Sequence, residues 1–286
     1  MPLPIIDTHV HIWDLDRASY PWLQGDTSAL NRNYSLDNLE PERLRTNVVA
    51  GVLVQAAGNH EDTALMLEAA AATGWIKGVV GWLPLKDPAA AWQWLEGKYL
   101  HKKYFCGVRH QVHDEKDPAW LLQPAVIESM QLLAACKIPF DLVGVLPAHI
   151  ETAIKLAEKV PGLRMVFDHL NQPPMSGKAG LDSWTSLMKT AAQHPHFFAK
   201  ISGLGTASGN FSGWTNNDLT PCIEFALQQF GTDRCFCGGD WPVSLLAGGY
   251  SKIWQSYETI LTGLLNEEDR KKVFYTNARQ FYHLEL

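Results

Sequence analysis

The chain has 286 residues, 46% hydrophobic and 19% charged, which suits one large domain and excludes disorder, collagen-like repeats and coiled coil as the main architecture. Thirty acids against 24 bases give a formal charge of −6, and the longest basic run, Arg270-Lys271-Lys272, follows acids, so nothing marks a nucleic-acid partner. The five cysteines form no CxxC pair, no signal-like apolar region follows the first basic residue, Arg17, and no apolar run is long enough to span a membrane; the expectation is a cytoplasmic protein with no membrane partner.

The first predicted strand, Ile5–Val10, leads through His9 to His11. A long connection, Ile12–Asn47, follows, rich in Trp, Tyr, Pro and Asn and holding a short helix over Leu39–Arg45. Strand two, Gly51–Gln55, precedes a helix over His60–Thr73, with Asn59 as N-cap and Gly74 as stop. Strand three, Val79–Leu83, carries Trp82, and Asp87-Pro88 opens the next helix with a cap followed by proline. Strand four, Phe105–His110, closes on Arg109 and His110 and is followed by a helix over Pro124–Cys136. Strand five, Pro139–Val143, contains Asp141 and leads to a helix over Pro147–Val160. Strand six, Arg164–His169, leads to a helix over Leu181–His194. Strand seven, Phe197–Ser202, carries Lys200 and Ser202; a Gly/Ser/Thr/Asn-rich loop, Gly203–Asn217, and a helix over Asp218–Phe230 follow. Strand eight, Cys235–Gly238, leads to Asp240 in Gly238-Gly239-Asp240-Trp241-Pro242, and helices over Tyr250–Gly263 and Glu267–Tyr282 close the chain.

Each strand is apolar nearly throughout, as for parallel strands covered on both faces. Eight strands alternating with helices predict an α/β fold, a single-domain (β/α)8 TIM barrel over residues 1–286. The alternative, an open doubly wound sheet, lacks its glycine fingerprint, because Asp7-Thr8-His9-Val10-His11 stands at the first strand.

In a barrel the active site lies at the C-terminal ends of the strands. His9 and His11, two apart on a strand, point to one face about 6–7 Å apart. That spacing lets two imidazoles grip one ion at about 2.0–2.1 Å each. His169 reads as a site residue or as a satisfied strand-end histidine. Asp240 reads as a metal ligand and general base or as a turn cap. Arg109 and Lys200 read as substrate cations or as rim partners of Asp141 or Asp240. Trp13, Trp22, Trp82 and Trp241 offer flat faces to a cyclic substrate or pack ordinarily. Cys235 and Cys237 read as core thiols, and His194 and His196 as structural residues at the barrel bottom. His60, His101, His149 and His283 lie in or near helices and are expected to be solvated. There is no G-x-S-x-G elbow and no P-loop.

Ile6-Asp7-Thr8-His9-Val10-His11, Asp168-His169-Leu170 and Gly239-Asp240-Trp241-Pro242 resemble the amidohydrolase-related family. Trp13-Asp14, Tyr20-Pro21-Trp22-Leu23, Val54-Gln55, Gly107-Val108-Arg109-His110 and Lys200-Ile201-Ser202-Gly203 are similar to its sugar-lactonase and 2-pyrone-4,6-dicarboxylate lactonase branch. The resemblance spans almost the whole chain. It implies a hydrolase opening a small-molecule lactone, with Asp240 as general base and His9, His11, His169 and Arg109 polarising the carbonyl. Gln55, Trp22, Trp82, His110, Asp141, Lys200 and Trp241 would hold substrate. It also implies that His9, His11, His169 and Asp240 hold at most one divalent ion, zinc by preference, since strand four lacks a bridging Lys or Glu. Some members of the branch work without any ion. A metal-dependent decarboxylase of the same family and a non-catalytic sugar-binding barrel are the competing functions. The sequence leaves the lactone's identity and any homo-oligomer open.

Overall fold

The computed structural model describes residues 2–175 and 180–286. Among them are eight strands: β1 (Ile5–Val10), β2 (Val48–Val54), β3 (Ile76–Gly81), β4 (Phe105–Gln111), β5 (Phe140–Val143), β6 (Met165–Phe167), β7 (Phe197–Ile201) and β8 (Cys235–Cys237). They pair in sequence order, and every pair is parallel. The ring closes where Val10 bridges Trp241, where Asp240 N–H donates to the His9 carbonyl at 2.8 Å, and where His11 N–H donates to the Trp241 carbonyl at 2.7 Å. The molecule is therefore the expected (β/α)8 barrel. No described helix is long and apolar enough to cross a membrane.

Eleven α-helical segments are described, and the principal ones wrap the sheet: α1 (Leu36–Arg43), α2 (His60–Ala72), α3 (Pro88–Trp94), α4 (Pro124–Ala135), α5 (Pro147–Lys159), α6 (Leu181–Ala192), α7 (Leu204–Ala207), α8 (Asn216–Phe230), α9 (Tyr250–Leu264), α10 (Glu267–Lys271) and α11 (Asn277–Phe281). Local signals account for several starts. Asn59 accepts the Asp62 N–H and Asp87 accepts the Ala90 N–H, each satisfying a donor the first helical turn leaves open. Pro88, Pro124 and Pro147 sit in first turns, where a missing N–H costs nothing. The helix expected over Glu267–Tyr282 is α10 and α11 joined by a wider turn over Lys272–Thr276. The Gly203–Asn217 loop contains α7.

The main core lies between strands and helices. A second apolar cluster joins Ile6, Val52, Val80, Val166 and Phe236 to Phe281 and Tyr282, so the C-terminal segment closes the bottom of the barrel. His149 is 1% exposed rather than solvated: its Nδ1 accepts the Val145 and Leu146 N–H groups at 3.0 and 3.2 Å and so serves the start of α5. Cys235 and Cys237 are buried core thiols, as expected.

Candidate active site

β1 delivers its histidines to the rim because Asp7 anchors the strand. Asp7, fully buried, accepts from His9 N–H (3.0 Å), Gly239 N–H (2.8 Å) and the Tyr250 hydroxyl (2.7 Å). Burial pushes its carboxyl up to about 6 against those three donors. These bonds tie β1 to the segment carrying Asp240. His11 Nδ1 lies 2.7 Å from the Val54 carbonyl, so that nitrogen donates to it and Nε2 faces Asp240.

Asp240 Oδ1 lies 3.6 Å from His11 Nε2, 3.8 Å from His9 Nε2 and 4.0 Å from His169 Nε2. One carboxylate thus faces three imidazoles at the floor of a cavity of about 190 Å³. At ~30 Å³ per water that is space for about six waters, the scale of one small ring. Burial holds the His9 imidazole well below its usual range and lowers that of His169, so both are neutral at pH 7.

β6 ends early, at Phe167, because His169, Leu170, Asn171 and Gln172 take φ of +55°, +52°, +55° and +48°. Four consecutive non-glycine residues in the left-handed region are costly, and such strain collects at functional sites. The Ser202 hydroxyl receives His169 N–H at 3.2 Å and lies 2.9 Å from Nδ1; the Trp184 indole N–H donates to the Leu170 carbonyl at 2.9 Å. The turn swings His169 over Asp240. Gly203, at φ +59°, leaves room for both: a Cβ there would lie 2.5 Å from His169 Nδ1 and 2.9 Å from Asp240 Oδ2.

Beneath the floor lies a charged cluster. Lys200 is 0% exposed, and its Nζ lies 2.6 Å from Asp141 Oδ2, 2.7 Å from Asp168 Oδ1 and 3.2 Å from His9 Nδ1. The Tyr282 hydroxyl donates to the same Asp141 oxygen at 2.6 Å. Arg109 Nη1 donates to the Gln55 carbonyl at 3.0 Å and lies 3.4 Å from His9 Nε2, while its Nε is 3.3 Å from Asp168. Burial alone would raise Asp168, but Lys200, His9 and Arg109 outweigh it and hold this carboxyl well below the usual range. Burial lowers Lys200's affinity for its proton, yet Asp141 and Asp168 reverse this and keep it charged.

Of the sequence-predicted site residues, His11, Trp22, Gln55, Arg109, His169 and Asp240 line the cavity, and the fully buried His9 packs behind them, 4.7 Å from the His11 ring. Lys200 and Asp141 do not reach the cavity wall: they point into the barrel interior and pair there, which corrects their expected contact with substrate. Trp241 is 2% exposed and packs edge-on to Tyr34 at 5.3 Å, and Trp82 packs against His60 at 4.9 Å, so neither presents a face to this cavity. His110 lies outside it, stacked on Trp120 at 4.0 Å. Asp168, Gln111, His113, Gln172 and Thr206 were not singled out by sequence. Asp168 carried a signal, a carboxylate closing an apolar strand; the others stand at a strand's last position, in short helical turns or in a loop.

His9, His11 and Asp240 offer two nitrogens and an oxygen all within 4.8 Å of one another, a donor set that fits one divalent ion. His11 is its best-prepared member, with its other nitrogen already bonded.

The family model for amidohydrolases matches residues 6–284. The chain is 31% identical to an L-fucono-1,5-lactonase of Burkholderia ambifaria over 284 residues, 98% of this chain and 96% of that protein. It is 26% identical to an L-rhamnono-gamma-lactonase of Scheffersomyces stipitis over 62% of this chain and 59% of that one. A crystal structure of an amidohydrolase from Burkholderia multivorans with bound zinc superposes with a TM-score of 0.89 at 28% identity, covering 99% of this chain and 100% of that one. With that match over nearly its full length, and with the histidine pair, His169 and Asp240 gathered at the C-terminal rim of an eight-stranded barrel, the chain belongs to the amidohydrolase family, a family of hydrolases.

Proposed function

We propose that this enzyme hydrolyses a sugar-acid lactone, with Asp240 activating the attacking water. The observation that carries the reading is the single carboxylate set among three imidazoles, opening onto a space for one small ring. A base so placed takes the proton of a water held between it and the substrate carbonyl. The water oxygen bonds to the carbonyl carbon, and the tetrahedral oxyanion faces the Arg109 guanidinium, the cation among the residues that line the cavity. The ring C–O bond then breaks, and the proton held by Asp240 passes to the departing oxygen, giving the open hydroxy acid. Gln55 and the Trp22 face hold the sugar. Lys200, Asp141 and Asp168 act through His9 and Arg109, which they hold in place.

His9, His11 and Asp240, with His169 beside them, would hold one divalent ion, zinc by donor type; when bound, it polarises a carbonyl as a Lewis acid. The lactonase names of two relatives support the substrate class. Five free cysteines support a cytoplasmic setting for this reaction. The test is acid release from a panel of five- and six-membered sugar lactones, followed with a pH indicator. Acid release is expected from at least one. Silence across the panel, or decarboxylation of an aromatic acid in its place, would overturn the reading.

A further inference from the structure

A second cavity, of about 450 Å³, shares Trp22, Gln55, Gln111 and Asp114 with the first. A single lactone ring in the 190 Å³ cavity leaves this larger space unfilled. Its walls are built, not incidental. Trp22 is fixed by its indole N–H donating to the Ala56 carbonyl at 2.8 Å and by edge-on packing against Trp13 at 5.2 Å. Gln55 is 0% exposed; its Nε2 donates to Gln111 Oε1 at 3.2 Å, and its own Oε1 has no protein partner. A buried, unpartnered amide oxygen is costly unless something donates to it.

His110, which also lines the second cavity, carries a further buried acceptor with no protein partner. Its Nε2 lies 2.8 Å from Glu115 Oε1, burial keeps the ring neutral, and Nδ1 is left without a partner. The N–H therefore points to the carboxylate and Nδ1 presents a lone pair. The Asp114 and Glu115 carboxylates line the same space. The cavity combines an indole with several acceptors and no buried cation of its own. Its complement is a ring bearing many hydroxyl donors, not an anion and not an alkyl chain.

We propose that the second cavity is a subsite for a sugar unit attached to the lactone, so that the preferred substrates are lactones of glycosylated sugar acids. This rests on the lactonase reading and extends it from one ring to two. Trp22 and Gln55 then touch both units at their junction.

The experiment compares glucono-1,5-lactone and the other monosaccharide lactones of the panel with cellobiono-, maltobiono- and lactobiono-1,5-lactone. At least one glycosylated lactone is expected to show KM about tenfold or more below glucono-1,5-lactone. In Ser19→Trp, which sets an indole at the exposed edge of the second cavity, the kcat/KM ratio of glycosylated to parent lactone is expected to fall about tenfold. Turnover of monosaccharide lactones with equal or poorer use of every glycosylated one, or a ratio that Ser19→Trp leaves unmoved, overturns the subsite and leaves lactone hydrolysis standing. No turnover of any lactone overturns both.

Discussion

Replacing Lys200 by methionine keeps most of the side-chain volume and removes its charge. In the native protein that ammonium sits between Asp141 and Asp168 with no solvent exposure. Arg109 remains beside Asp168 at 3.3 Å, so the carboxylate left without a cation is Asp141, with only Tyr282 donating to it. Breaking a buried pair from one side costs about 3–5 kcal/mol. At roughly 2.1 cal/mol/K per residue, 286 residues give an unfolding entropy of ~0.6 kcal/mol/K, so Tm should fall by about 5–8 °C. The loss should depend on pH. Burial already lifts the Asp141 carboxyl to about 6, with Lys200 opposing the rise and Asp168 adding to it; without Lys200 it climbs further. A carboxyl raised in the folded state contributes stability that is whole below its unfolded value, about 3.9, and is lost as pH rises through the folded one. Asp141 in the variant is therefore mostly neutral at pH 5.5, and because its folded value lies further above the unfolded one, the Tm deficit should be larger at pH 8. Thermal melts by circular dichroism at both pH values measure this, and adding Asp141→Asn should restore much of the loss at pH 8. A deficit below about 2 °C, or one equal at both pH values, would refute the claim that Lys200 neutralises a dry carboxylate.

Asp240→Asn keeps size and a ligating oxygen but removes the base, so kcat should fall by roughly 10²–10⁴ with KM and fold preserved; retention of more than about a tenth of kcat would move the role elsewhere. Arg109→Met should lower both kcat/KM and Tm, because the guanidinium holds Gln55 and Asp168 as well as facing the cavity; an unchanged Tm would show that it serves substrate alone. Tyr250→Phe removes a 2.7 Å donor from buried Asp7 and should cost about 1.5–3 kcal/mol, read by urea denaturation; a loss under ~0.5 kcal/mol would remove Asp7 as the anchor of β1. Elemental analysis should find no more than one divalent ion per chain, since His9, His11 and Asp240 converge on one point; two equivalents would contradict that geometry.

The strands were legible because each is covered on both faces and so reads as an apolar run. Their ends were less so: Arg164–His169 looks continuous in sequence, but the backbone leaves extended geometry at Asp168, and no periodicity announces a left-handed turn. The rim rule singled out His9, His11, His169, Arg109 and Asp240, which lie together in the structure. It could not separate them from Lys200 and Asp141, polar residues that likewise interrupt apolar strands. The difference lies in depth: these two side chains meet within the barrel, where opposite charges satisfy one another before either reaches the cavity. Gln111, His113, Gln172 and Thr206 escaped notice because, at a strand end, in short helical turns and in a loop, side-chain placement depends on long-range packing, which leaves no local pattern. Trp241 has the composition of a substrate platform, yet Tyr34 from the first long connection covers it.

The left-handed run at His169–Gln172 has a consequence for how the site comes into being. At about 1–2 kcal/mol for each of His169, Leu170 and Gln172, and less for Asn171, the run carries roughly 3–6 kcal/mol of local disfavour, a large share of the net stability of a whole domain. An isolated peptide of this segment would not hold that shape. The neighbours that impose it, Ser202 after β7 and Trp184 on α6, come later in the chain. His169 therefore reaches Asp240 only once the second half of the barrel has docked, and catalytic competence arises as a property of the finished barrel.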